Sequence, residues 1–354
     1  MIVQDVVRKI LEAGVLAPSG GNSQPWRFEV SNGVISVFMI PERDHPVLNF
    51  RNRGTILANG ALIENMAIAA RHYGFDPVID EFSDPNQPNL VAKMAFQENH
   101  EEPQPLFDAI AKRATNRKPY ETRAIDPQTV RDLQASVGEV GNPGITLRFT
   151  EERNQIEQLA VAASANEAVM FADPKLHQLF FEELVWTERE ERAKKSGLFL
   201  KTMELAPPQA AALRLFRSWH FMKFANRFGA ARGIAKGNAK GYAACGLYGA
   251  VMCSNNDKDF LSVGRVIERV WLKATAAGLS FHLQTGVNFL YERVTGGGAL
   301  FQERHHELIR REYGVIHSIF GGGSNVIPAL FRIGYDGEPS ARSSRRAPEV
   351  VFLT

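Results

Sequence analysis

One helical segment occurs twice in this chain. Gly60-Ala61-Leu62-Ile63-Glu64-Asn65, running on to Ala70 and Gly74, matches Gly264-Arg265-Val266-Ile267-Glu268-Arg269, running on to Ala274 and Gly278. Gly60/264, Ile63/267, Glu64/268, Ala70/274 and Gly74/278 share one offset of 204 residues, five identities in fifteen aligned positions. Self-similarity in register predicts a duplicated structural unit. Val7-Arg8 also matches Val130-Arg131 at an offset of 123, so the two copies differ in their insertions. At roughly 100–200 residues per domain, a 354-residue chain holds two such units. The expected division is a half over residues 1–105 and a second over 106–354.

Local patterns fill in these halves. Residues 3–15 place Val3, Val6, Val7, Ile10, Leu11 and Val15 on one helical face. Trp26 to Val30 and Val34 to Ile40 flank Asn32-Gly33, a hairpin signal. A helix over 55–73 stops at Gly74, and the polar, proline-containing stretch Glu81 to Pro105 reads as a linker. The pattern restarts with a helix from Asp126 to Val137, a strand from Ile145 to Thr150 and a helix from Asn154 to Met170. Residues 172–240 read as a helical insertion: a polar helix over Glu182–Lys195, then a cationic, aromatic-rich stretch from Leu213 to Lys240. Tyr242 to Cys253 reads as a buried strand, Val263 to Ala277 as a helix and Ala329 to Gly334 as a last strand.

Charge and cysteine content narrow the function classes. Lys+Arg 41 against Asp+Glu 39 leaves a net charge of +2, so no global field recruits nucleic acid or an anionic membrane. Cys245 and Cys253 are the two cysteines, which excludes a disulfide scaffold and a four-cysteine zinc site. The first residues carry Asp5, Arg8, Lys9 and Glu12 within their apolar pattern, unlike a secretory leader, so a cytoplasmic protein is expected. No GxGxxG, Walker A, HExxH or GxSxG element occurs. His305-His306 is expected on a solvated helix surface rather than at a metal, and no metal site is expected elsewhere. The glycine runs 296–298 and 321–323 read as turns.

Three segments carry binding chemistry. Pro18-Ser19-Gly20-Gly21-Asn22-Ser23-Gln24-Pro25-Trp26 offers hydroxyl, amide and free backbone groups to a planar heterocycle, or simply caps a helix-to-strand turn. Arg113-Ala114-Thr115-Asn116-Arg117-Lys118 gathers three cations and a hydroxyl, a set suited to phosphate because guanidinium forks match its oxygens. The tail Ser340-Ala341-Arg342-Ser343-Ser344-Arg345-Arg346 adds three arginines, and the apolar residues after it point to a segment that returns to the core.

Together these segments resemble the FMN-dependent nitroreductase family. APSGGNSQPWRF is similar to that family's flavin-contacting loop, and Arg113 to Arg117 to its phosphate-binding element. Gly278-Leu279-Ser280-Phe281-His282-Leu283-Gln284-Thr285-Gly286 is similar to its passage beside the flavin N5, and the tail to its closing basic segment. The order differs from the family's usual one, with the loop ahead of the basic element, and Gly141-Asn142-Pro143-Gly144 stands where a second loop is due. The chain thus resembles the long, Acg-like branch: a dimer fused into one chain, one of its two sites lost, with a helical lid. The resemblance implies an α+β nitroreductase-like fold of two tandem halves. It also implies FMN contacted by Pro18, Ser19, Asn22 and Gln24, and by the backbone of Thr285 and Gly286. Arg113, Thr115, Arg117, Arg342, Arg345 and Arg346 would hold its phosphate.

The activity so implied is hydride transfer from NAD(P)H, through FMN, to a small nitro, quinone or enone acceptor. No side-chain acid or base is required, so no catalytic residue is named, and His282 is expected as a packed core histidine. Trp186, Trp219, His220 and Phe221 of the insertion are expected over the flavin. The alternative is a non-catalytic protein that stores or sequesters FMN. Neither nucleic acid nor membrane is an expected partner, and the chain is expected as a monomer or weak homodimer.

Overall fold

Asn32 and Gly33 both adopt positive φ, 50° and 77°. That two-residue turn matches the twist of the strands it joins: β1 (Trp26–Ser31) and β2 (Val34–Met39), paired antiparallel from Trp26↔Met39 to Ser31↔Val34. The structure is a computed structural model that describes residues 2–45, 47–99, 104–298 and 302–353. After β2 come the helix Arg53–His72, then β3 (Phe75–Glu81) and β4 (Leu90–Glu98). β4 lies between β2 and β3. The linker expected over Glu81–Pro105 therefore contains the nine-residue strand β4, with Leu90, Val91, Ala92 and Met94 buried; part of that stretch, 100–103, lies outside the described residues. Flanking Pro, Asn and Glu residues hid its apolar run.

The second half repeats this plan. Its strands are β5 (Thr146–Thr150), β6 (Leu184–Val185), β7 (Leu198–Phe199), β8 (Leu247–Cys253), β9 (Ser280–Gln284) and β10 (Val326–Gly334), and β11 (Val350–Phe352) ends the chain. The first half orders its own strands β1-β2-β4-β3 and the second β5-β8-β10-β9, every neighbouring pair antiparallel. A 20-residue helix joins the second strand of each set to the third, Arg53–His72 in one and Asp257–Ala276 in the other. The α+β class read from the sequence is the observed one. The halves are also laced together: β11 pairs parallel with β1, and Thr115 bridges Phe281 on β9. The last strand of the 106–354 half thus completes the sheet of the 1–105 half.

The two long helices form the centre, offset by 204 residues at both ends. Arg53 Nη1 meets Asp257 at 2.7 Å, and Glu64 meets Arg265 at 3.1 Å and Arg269 Nε at 2.6 Å, so the helices run parallel with repeat-related positions side by side. A Cβ on Gly60 would stand 2.1 Å from the Leu261 carbonyl oxygen, and one on Gly264 2.1 Å from that of Leu57. Both glycines of the repeat are there because no side chain fits between the helices. Glu64 and Glu268, the repeated acids, are fully buried, and each faces arginine: Arg113 Nε lies 3.1 Å from Glu268. Such charges are tolerated inside a protein only when paired.

Between β5 and β8 the chain is mostly helical, but its subdivision differs from expectation. The helix expected over Glu182–Lys195 is two, Pro174–Glu183 and Glu188–Lys194, separated by β6, which pairs parallel with β7. Helices Pro207–Phe216, Trp219–Asn226 and Ala230–Ala243 follow, so Tyr242 closes a helix instead of opening a strand. His305 and His306 are buried on the helix Glu303–Phe320, correcting the solvated surface expected for them.

Candidate functional site

The helix Gln4–Gly14 leads into the loop Pro18–Pro25, where Gly21, Asn22 and Gln24 all take positive φ. Ser19 Oγ accepts from the Gln24 amide at 2.9 Å and closes the loop on itself. Pro18, Ser19, Gly20 and Gly21 thereby form one wall of a cavity of about 990 Å³.

The second half supplies the facing walls. At the end of β9, Gln284, Thr285 and Gly286 border the cavity, and the helix Gly286–Thr295 starts there. Its first-turn N–H groups have no intrahelical carbonyl to take them up. A Cβ on Gly286 would lie 2.6 Å from the Asn166 side-chain amide, so a larger residue there would displace that side chain. Gln284 Oε1 accepts from the Tyr248 hydroxyl, which leaves its buried Nε2 a donor without a partner. The bridge to Phe281 brings Thr115 and Arg117 to the same space, where Arg117 Nη1 donates to the Thr202 carbonyl at 2.9 Å. Burial lowers the pKa of that guanidinium. Lys240 lies at the rim, while Leu213, Phe216 and Ile234 of the insertion form the roof.

Several titratable groups converge on this cavity. Burial, reinforced by Asp44, pushes the Glu183 carboxyl up to about 8; burial alone pushes Glu167 up to about 7 and Asp44 to about 6. Burial also lowers His45 to about 4, so it is neutral beside Glu183, with Nε2 3.9 Å from the carboxyl oxygen. Glu167 accepts from the Tyr242 hydroxyl at 2.8 Å. Glu183 therefore holds its proton at pH 7. These carboxyls come from separate elements with no shared spacing, so no sequence pattern marks them, and none singles out Gln284 or Lys240.

The residues named from the sequence divide into two groups. Pro18, Ser19, Thr115, Arg117, Thr285 and Gly286 border one cavity. The others are engaged elsewhere. Gln24 is buried, with Nε2 donating to the Lys195 carbonyl at 2.6 Å and Oε1 accepting from the Arg346 amide at 2.7 Å. Asn22 donates to the Ser344 carbonyl at 3.1 Å. Arg113 pairs with Glu268, donates to the Leu16 carbonyl at 2.6 Å and stacks 4.5 Å from Trp271. Arg342 caps Lys112 at 2.6 Å, and Arg346 donates to Ser196 at 2.9 Å. Arg345 is half-buried, with an inaccessible and unpartnered Nε; burial, with Arg113 nearby, pulls its pKa down to about 9. The single clamp of five arginines is thus corrected: Arg117 alone of them borders the cavity among the described residues, Arg113, Arg342 and Arg346 link tail, loop and core, and Arg345 bonds within its own tail segment.

His282 is the packed histidine expected: its Nδ1 accepts from Arg332 Nε at 3.2 Å, and burial holds it neutral. Trp186 and Trp219 face a separate 520 Å³ pocket, and His220 and Phe221 are exposed, so none of the four covers the main cavity as expected. Among the described residues no group of three or more His, Cys, Asp or Glu is placed to hold a metal, and no helix is long and apolar enough to cross a membrane.

Comparisons with known proteins follow this geometry. No family model matches the chain. An uncharacterized protein of Mycobacterium tuberculosis is 24% identical over 349 residues, covering 97% of this chain and 47% of its own length. A second protein of that organism, provisionally named NAD(P)H nitroreductase acg, is 26% identical over 193 residues, 52% of this chain and 55% of its own. The chain spans about half the length of these curated relatives. Among solved structures, the FMN-dependent nitroreductase NfnB of Mycobacterium smegmatis, in complex with NADPH, aligns with 68% of this chain and 99% of its own at 12% identity and TM-score 0.37. Of these two curated relatives, acg carries the nitroreductase name.

Proposed function

We propose that this chain is an FMN-dependent oxidoreductase of the nitroreductase type, passing hydride from NAD(P)H to a nitro, quinone or enone acceptor. The observation that carries this reading is one cavity bordered by the Pro18–Gly21 loop, by Thr115 and Arg117, and by Gln284 to Gly286. Its volume of about 990 Å³ suits a cofactor and a small substrate together. FMN fits the donors present: Arg117, Lys240 and Thr115 suit its phosphate, and the orphaned Gln284 Nε2 with the Thr285 and Gly286 amides suits the acceptor atoms of its ring. FMN, when bound, supplies the two-electron chemistry.

The protein's own part is position, exclusion and proton supply. Ser19 and the Gly20-Gly21 backbone hold one edge of the site, Gly286 allows close approach at the other, and Leu213, Phe216 and Ile234 keep water from above. Protonated Glu183 has a proton available to a reduced acceptor. We further infer a fused dimer that retains one site, because the loop comes from residues 1–105 and the donors facing it from 106–354.

Denaturing the FMN-loaded protein should release one FMN per chain, and a ratio near two would overturn the single-site reading. Arg117→Ala/Lys240→Ala should weaken FMN binding at least tenfold, and unchanged affinity would refute the assigned phosphate end. Anaerobic addition of NADPH, then NADH, should bleach the flavin absorbance. A yellow protein that neither donor bleaches would instead support FMN storage, the reading favoured by the roof.

A further inference from the structure

Between Glu204 and Asp257 the chain contains no acidic residue and seven cations: Arg214, Arg217, Lys223, Arg227, Arg232, Lys236 and Lys240. All seven are exposed, and none pairs with a carboxylate among the described residues. The net charge of +2 conceals this segment because acids elsewhere cancel it in the sum. The field at a surface depends instead on charges within about 10 Å. Apolar side chains share the same helices. Leu215 is 60% exposed, Phe224 55% and Phe228 80%, and Phe221 is also exposed. Phe221 and Phe224 lie three residues apart on the helix Trp219–Asn226, and Phe228 stands in the turn after it; the Phe224 and Phe228 rings meet at 5.4 Å, while Met222 alone is buried in that helix. Monomer surfaces carry single exposed apolar residues, but a group of aromatic and aliphatic side chains among uncompensated cations has the composition of an interfacial membrane-binding surface.

The same elements cover the cavity. Leu213 and Phe216 of Pro207–Phe216, and Ile234 of Ala230–Ala243, face inward, while Arg214, Leu215, Arg232 and Lys236 of those helices face out.

We propose that the roof, residues 207–240, docks on an anionic lipid bilayer, its phenylalanines entering the interface and its cations other than Lys240, which lines the cavity, meeting the headgroups. Charge complementarity selects this occupant: a segment of exposed cations with no acid of its own matches a surface of like negative charges. The whole-chain charge had pointed away from membranes, and the local distribution reverses that expectation. Docking needs no flavin. Its consequence, that the acceptor is apolar and lipid-borne and enters through the roof, rests on the oxidoreductase reading.

The test is flotation of the full chain with vesicles of equal parts phosphatidylcholine and phosphatidylglycerol, at low and high salt, beside vesicles of phosphatidylcholine alone. The protein should float with the anionic vesicles, lose binding as salt rises and ignore the neutral ones. Each cation near such a surface contributes about fivefold in binding, so Arg227→Ser/Arg232→Ser/Lys236→Ser should weaken it about 100-fold. Phe224→Ser/Phe228→Ser should weaken it with less effect on its salt dependence. These side chains are exposed, so the variants should keep the parent's thermal midpoint. No flotation at low salt, or equal flotation by both variants, overturns the proposal. A dimer in sedimentation that the same substitutions dissolve, without vesicle binding, also overturns it and makes this face a contact between copies. Flotation reads no flavin and flavin release reads no vesicle, so docking and the oxidoreductase reading fail separately.

Discussion

Gly60→Ala and Gly264→Ala test the central helix pair. At either position a Cβ would stand 2.1 Å from a backbone carbonyl oxygen of the other helix, Leu261 or Leu57. Carbon and oxygen tolerate roughly 3.3 Å, so the new methyl is short by about 1.2 Å. A backbone obstacle has no rotamer to yield, and both helices carry sheets on their outer sides, so the axes must separate within a packed core. Overpacking of this kind costs about 3 kcal/mol, against which alanine recovers about 1 kcal/mol of helix propensity. Each variant should therefore be about 2 kcal/mol less stable than the parent by urea unfolding. The two sites share one contact, with Gly264 Cα only 3.0 Å from the Gly60 Cβ position. Once the first methyl has parted the helices the second meets little resistance, so the double variant should lose well under the sum. Gly314→Ala is the control: nothing lies within 4 Å of its Cβ position in the helix Glu303–Phe320, and it should gain about 0.5–1 kcal/mol. A Gly60→Ala protein as stable as Gly314→Ala, or two full additive losses, would refute the close parallel packing.

The contribution of Glu183 to stability should fall as pH rises from about 4.5 to 8. Over that window the unfolded chain has released the proton that folded Glu183, with its pKa near 8, still binds, so the folded state holds the excess proton and deprotonation favours unfolding. Glu183→Gln should flatten that slope in thermal midpoints taken across the range; an unchanged slope would show that this carboxyl ionises normally. Glu64→Ala should cost about 3–5 kcal/mol in urea unfolding because it strands Arg269 in the core. A loss near 1 kcal/mol would mean that Glu139, 2.8 Å from Arg269, already satisfies it.

Much of the architecture was legible because it is written in local periodicity. The hairpin at Asn32-Gly33 follows from two residues that accept positive φ, and the strands beside it from alternation. β4 was not legible, since Leu90 to Ala92 is a short apolar run among prolines and acids, and its identity as a strand comes from the neighbours that pair with it. Six of the twelve residues that the family resemblance named border the cavity, whereas Gln284 was not among them because only its surroundings make its amide an unpartnered donor.

By itself, then, the sequence determined the duplicated helix, the glycines that let its copies touch and the loop and basic segments that border the cavity. Only the tertiary structure decided which arginine serves which purpose. Arg113 and Arg117 stand four residues apart and look equivalent in the sequence, yet a buried carboxylate 155 positions away from the first, Glu268, captures it, while the second turns to the cavity. The convergence of Asp44, Glu167 and Glu183 was likewise decided there, as was the exposure of the cationic roof. Periodicity reports how a segment buries its own face; a charge takes whichever partner the rest of the chain brings within reach, and that distance exists only in the folded protein.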